Sequence, residues 1–356
     1  METNYQELSG VALRKKSNHM NYITVLSVFS CLGVLFLHFN FVFWGFNQTS
    51  WISANAIESL FYFSAPMFFM ISGATLIDYR DRYDTKTYFK KRFLKVVFPY
   101  IFWTFILLIF YTSIGRFAWK DFLLNFWEGL FFTKVESTYY FILDILMLYL
   151  AIPLLSLIPK EKRQTAYAYI IVLGLILNVG MPFIFQMANY PYNSKFTFPL
   201  CSECLLYALI GYYFSKFEIK KFIQHDGIYI LGIIGFLTIL LGTQYVSLGQ
   251  GWIDSRFKGY YNLPCILYTS ALFLFFKSFS KTIIMDKIYW CCKYFAPHTF
   301  AIYLTHQIIL NLLTEYTDIN FNLLWPRLLF PFLTLFFLSS ISWVIKKIPY
   351  VNKILP

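Results

Sequence analysis

The stretch NYITVLSVFSCLGVLFLHFN, residues 21–40, is apolar almost throughout and carries His38 close to its far end. A neutral imidazole titrates near working pH, which suits it to take a proton from a weakly acidic hydroxyl. Three acids stand at comparable places in later apolar runs: Glu58, Asp144 and Glu203. Counted at about 1.5 Å per residue, His38 lies roughly 7 Å inside the end of its run, with the acids at similar depths. Ionisable groups at membrane depth cost a few kcal/mol each unless paired or wetted, so they tend to line a cavity. Glu315, at the end of a further run, is a candidate fifth member. Unrelated side chains at helix ends would give the same pattern. At the opposite ends of the runs, Arg92 and Lys95 are three residues apart at the start of a helix and share a face, a pair suited to a phosphate or pyrophosphate. Snorkelling to lipid headgroups accounts for such a pair equally well.

The elements that must hold these groups are membrane helices. Of the 356 residues, 58% are hydrophobic, 22% aromatic and only 13% charged, where a soluble domain carries about 25% charged residues. Apolar runs near 22–43, 54–77, 93–113, 138–158, 165–186, 198–215, 226–246, 261–279, 296–316 and 325–345 predict an all-α polytopic bundle of about ten spans. Residues 1–20 read as an N-terminal tail, 21–346 as the transmembrane domain and 347–356 as a C-terminal tail. No small-residue cleavage site follows the first run, which is therefore expected to be retained.

All but seven of the 30 Lys and Arg fall in the termini and the even-numbered gaps, leaving Arg116, Lys120, Lys134, Lys195, Arg256, Lys258 and Arg327 on the other side. That asymmetry predicts cytoplasmic termini. It also explains the net charge of +12 through topology and anionic lipid, with no call for a nucleic-acid partner. The cysteine pair Cys201 and Cys204 has no second pair at zinc-like spacing, so packing is favoured over a metal site.

Several blocks in order resemble the bacterial integral-membrane acyltransferase-3 family, which moves acyl groups onto surface carbohydrates. They are GVLFLHFN at the end of the first run, SAPMFFMISGATL (64–76), KKRFLKVVFPY (90–100), YYFILDILMLYLAIPLL (139–155), YALIGYYF (207–214) and TFAIYLTHQIIL (299–310). The resemblance covers about residues 20–345 and implies the cytoplasmic cell membrane, an acetyl-CoA or other acyl-CoA donor, and a carbohydrate hydroxyl outside. No metal is implied. The family's first helix carries Arg eleven residues before its His, about 16 Å away on the same face. Here that position is Ser27, and the family's Asp three residues earlier is Thr24. The second cation of the family's Arg-x-x-Arg is Lys95, which lacks a bidentate fork, and Thr138 stands near the place of a family His.

What the resemblance implies is that Arg92 and Lys95, with Ser27 at the family's Arg position, bind the donor. Arg14, Lys15 and Lys16 would supply the charge that Ser27 lacks. His38 is then the general base, Asp144 (or Glu58) its carboxylate partner, and Glu58, Glu203 and His306 bind the acceptor. Direct transfer and an acyl-His38 intermediate are both open. Two rival readings are a transporter of a polysaccharide intermediate or ion, and a non-catalytic relative among polysaccharide-assembly proteins.

Overall fold

The computed structural model describes residues 2–201, 203–219, 226–349, 354 and 355, with the side chains of residues 2–20 and 48 outside that description. Arg14, Lys15 and Lys16 therefore lie outside the described side chains. Among the described residues every regular element is helical. Among the described residues eight helices are long and apolar enough to cross a membrane, and they account for eight of the ten expected runs. The other two are shorter: 198–215 yields a helix from Glu203 to Lys216, and 296–316 yields one from Thr299 to Tyr316. Two further helices, Phe122–Phe132 and Ile283–Phe295, form in segments the hydropathy pattern treats as connections. The chain divides into two compact units.

The first unit comprises residues 1–74, 160–296 and 320–331. It holds α1 (Glu2–Phe39), α2 (Gln48–Phe61) and most of α3 (Ser64–Leu76). The second unit comprises residues 75–159, 297–319 and 332–356, and begins with α4 (Thr85–Arg92), α5 (Phe98–Ser113), α6 (Phe122–Phe132) and α7 (Tyr140–Leu155). The chain then returns to the first unit for α8 (Lys160–Leu173), α9 (Met181–Met187), α10 (Glu203–Lys216), α11 (Asp226–Leu237), α12 (Thr243–Gln250), α13 (Leu263–Ser278) and α14 (Ile283–Phe295). Finally α15 (Thr299–Tyr316) belongs to the second unit, while α16 (Leu324–Lys346) starts in the first and finishes in the second.

Local chemistry fixes several of these boundaries. Asn47 and Asp84 cap α2 and α4 by accepting from the backbone N–H groups of Thr49 and Thr87. Two π-helical turns, Phe93–Val97 and Gly174–Gly180, each stand just before a proline, Pro99 and Pro182. Proline has no N–H to return to the carbonyl four residues back, here that of Lys95 or Asn178, so the ladder is loosened at that turn. In the first unit α3 and α10 cross at backbone distance. A Cβ on Gly73 would sit 1.9 Å from the Ala208 carbonyl oxygen, and one on Gly211 would sit 2.2 Å from that of Met70. The Ser-Gly and Ile-Gly blocks are therefore the two sides of one helix crossing.

Candidate functional site

Of the residues picked out by type and spacing, Ser27, His38, Glu58 and Glu203 fall in the first unit. Arg92, Lys95, Asp144 and His306 fall in the second.

In the first unit His38 is half-buried in the last turn of α1. Two residues later, Asn40 is fully buried and begins a polar network drawn from four separate stretches of chain. Its amide nitrogen donates to the Ala54 carbonyl at 2.8 Å and to Glu58 Oε2 at 3.2 Å. Its amide oxygen accepts from Arg327 Nη1 at 3.1 Å. Arg327, 1% exposed, also donates to the Ser53 hydroxyl at 2.8 Å and to the carbonyls of Leu323 and Asn322. Lys258, 5% exposed, donates to the Ser59 hydroxyl at 3.1 Å, and its ammonium lies 4.4 Å from the Phe43 ring centroid. Burial pushes that ammonium down to about 8, with Glu58 opposing the shift.

The charge count placed Lys258 and Arg327 on the side opposite the termini, and the structure adds that both are buried. Lys258 comes from the irregular segment after α12, and Arg327 from the first turn of α16. Both are buried against partners distant in sequence, Ser59 for Lys258 and Asn40 and Ser53 for Arg327. Ser27 is half-buried on α1, and Glu203 is the exposed first residue of α10. The helix starts late because Asn178 holds the preceding loop: it accepts from the Phe198 N–H at 2.6 Å and donates to the Phe198 and Cys201 carbonyls.

In the second unit the segment before α5 gathers cations over tyrosine rings. Tyr79 and Tyr88 are fully buried with centroids 4.4 Å apart. The Arg92 guanidinium lies 5.8 Å from the Tyr88 centroid and 5.4 Å from that of Tyr149. Lys91 sits 3.8 Å from the Tyr83 centroid, and Arg82 also lies over Tyr83. Arg80 donates to the Ser156 hydroxyl at 2.8 Å. Arg92 Nε is buried with no hydrogen-bond acceptor among the described residues. Such a donor costs about 1–3 kcal/mol until something accepts from it. Lys95 stands exposed in the π turn that follows Arg92.

His306 is fully buried on α15. Its Nδ1 lies 2.8 Å from the Tyr303 carbonyl oxygen and 3.2 Å from that of Ile302. A carbonyl only accepts, so Nδ1 carries a hydrogen. Asp144 is half-buried on α7. Glu315 forms an ion pair with Arg116. A group missed in the sequence is Glu136, 6% exposed. It accepts from the Tyr111 hydroxyl at 3.1 Å and from both the N–H and the hydroxyl of Thr138, while Asn311 donates to the same Tyr111 oxygen at 2.7 Å. Burial pushes its carboxyl up. A single acid between Val135 and Ser137 gives no periodic signal, because its partners lie on other helices.

Among the described residues no three His, Cys, Asp or Glu side chains gather as a metal set. Residues 20–347 match a family model described as an acyltransferase domain. Comparisons with curated proteins and with solved structures return no match.

Proposed function

From the premise that this chain belongs to the acyltransferase-3 family of integral-membrane acyltransferases, we propose that it moves an acetyl or other short acyl group from acyl-CoA to a hydroxyl of a surface carbohydrate. The donor is cytoplasmic and the acceptor lies beyond the cytoplasmic membrane of a bacterium. The observation that carries the donor side is the unspent N–H of Arg92, buried among tyrosines and further cations. A phosphate oxygen is the strongest partner for that donor, and a purine stacks on tyrosine faces. Exposed Lys95 reaches a second phosphate, and half-buried Ser27 takes the position where the family has Arg.

A thioester is already an electrophile, so the protein's task is to activate the alcohol. His38 takes the acceptor's proton as its oxygen bonds to the acyl carbon, and the CoA thiolate leaves with the electron pair of the broken carbon–sulfur bond. A carboxylate, Asp144 or Glu58, orients the imidazole. Glu203, Glu58 and His306 bind acceptor hydroxyls. Polysaccharide-assembly proteins are the partners that would present the acceptor.

The test is the ester-bound acyl content of the host's surface polysaccharide by NMR, in a deletion strain complemented with wild type, His38→Ala or Arg92→Ala at matched expression. Loss of ester in both variants supports the assignment. Unchanged ester with reduced polymer export would overturn it in favour of transport.

A further inference from the structure

The hydrogen bonds around Glu136 in the second unit run in one direction. Glu136 caps the short turn Ser137–Tyr139 that opens α7, and three donors converge on its two oxygens. Oε1 takes the N–H and the hydroxyl of Thr138 at 3.2 and 2.9 Å, and Oε2 takes the hydroxyl of Tyr111, in the last turn of α5, at 3.1 Å. Burial raises the carboxyl, while those donors and the Arg116 guanidinium favour its charged form. A carboxylate only accepts, so Tyr111 gives up its hydrogen to Glu136. The Tyr111 oxygen is left to accept, which turns the Asn311 amide nitrogen towards it at 2.7 Å. The Asn311 oxygen then faces the other way and accepts from Gln307 Nε2 at 3.3 Å, one turn back on α15.

At the far end of this chain stands Gln307 Oε1. The residue is half-buried, yet that oxygen is covered and has no donor among the described residues. A covered acceptor without a donor destabilises the fold until something donates to it. The chain cannot relieve it by turning round, because Glu136 holds the opposite end. The helix is also fastened in place: Tyr139 donates to the Leu304 carbonyl at 2.7 Å, and Tyr303 donates to that of Thr138. On the topology that the charge asymmetry predicts, the end of α5 and the start of α7 face away from the cytoplasm.

We propose that Gln307 Oε1 is a subsite for a carbohydrate hydroxyl, which donates to it, and that Glu136 sets its polarity through Tyr111 and Asn311. Naming that hydroxyl as one of the acyl acceptor's rests on the acyl-transfer reading. Gln307 touches the ligand, and Glu136 is a positioning residue.

The test titrates the full chain in nanodiscs with one oligosaccharide, released from the host's surface polysaccharide and stripped of esters by mild alkali, using isothermal titration calorimetry. Acetyl transfer from acetyl-CoA to the same oligosaccharide is measured on the same samples. Gln307→Leu and Gln307→Met should each weaken binding about two- to tenfold, as expected for one neutral hydrogen bond. Glu136→Gln offers Tyr111 a donor in place of an acceptor, so the chain can reverse and turn the Gln307 nitrogen outward. Binding should weaken by a similar factor. The double variant Glu136→Gln with Gln307→Leu should bind no more weakly than Gln307→Leu alone, whereas separate structural damage would multiply the two losses. Monodisperse elution of each variant shows that it folds. Unchanged binding in a folded Gln307 variant, the result if water alone serves that oxygen, overturns the subsite, as does a wild type that does not bind the oligosaccharide. Multiplied losses overturn the role of Glu136. Weakened binding in the variants with no acetyl transfer by wild type supports the subsite and overturns the acyl-transfer reading instead.

Discussion

Arg327 donates to Asn40 across 287 residues of sequence, and Asn40 follows His38 by two. The end of α1 is thereby tied to the start of α16 and, through Ala54 and Glu58, to α2. Arg327→Met leaves the Asn40 amide oxygen and the Ser53 hydroxyl without their charged donor. A loss of about 3 kcal/mol is expected, seen as a lower Tm in detergent. With His38 as the proposed base, its displacement should lower transfer on the order of a hundredfold. Arg327→Lys keeps the charge without the fork and should recover only part of both. Full activity in a destabilised Arg327→Met would show that the tie does not position His38.

Lys258 gives a pH signature. Its folded-state value is about 8 against 10.5 for a free lysine. Between those values the unfolded chain holds more protons, so stability rises as pH increases from about 8 towards 10.5. Below about 8 the cost of burying the charge is fully present. Lys258→Met should remove this upward slope in Tm against pH, while Lys162→Met on the exposed surface leaves it in place.

The proposed donor site at Arg92 predicts that donor binding and chemistry can be separated by mutation. Arg92→Ala should raise KM for acyl-CoA by roughly ten- to a hundredfold, the equivalent of about 1.5–3 kcal/mol for hydrogen bonds to a charged group. His38→Ala should instead lower kcat by about 10²–10⁴. Steady-state kinetics of purified protein with acyl-CoA and an oligosaccharide acceptor reads both. If Arg92→Ala lowers kcat with KM unchanged, the cation cluster is not the donor site.

The helix crossing makes a steric prediction. Gly73→Ala and Gly211→Ala each drive a methyl group into backbone, and each should cost about 1–3 kcal/mol in detergent unfolding. Gly45→Ala, where no atom lies within 4 Å of the added carbon, should be close to neutral.

Hydropathy and charge carry the helical class and the positions of eight long spans, because apolar length is a local property. They carry less about the groups inside. Glu58 was legible as a buried acid, but Lys258 and Arg327 were counted as connecting charges since depth along one run ignores what other runs bring. Ser59 is 199 residues from Lys258, and no spacing rule links them. Helical spacing also gave no sign that Lys95 stands in a π turn. The proline that follows was visible, but its effect on the turn before it depends on the carbonyl it leaves unbonded.

The meeting of Gly73 and Gly211 has a mechanical consequence. Where side chains interleave, two helices can slide by exchanging rotamers. Where carbonyl faces Cα there are no rotamers to exchange, and the contact is either kept or lost. Within the first unit α3 and α10 therefore behave as one welded wall, and any motion during turnover must be found in elements joined by longer side chains.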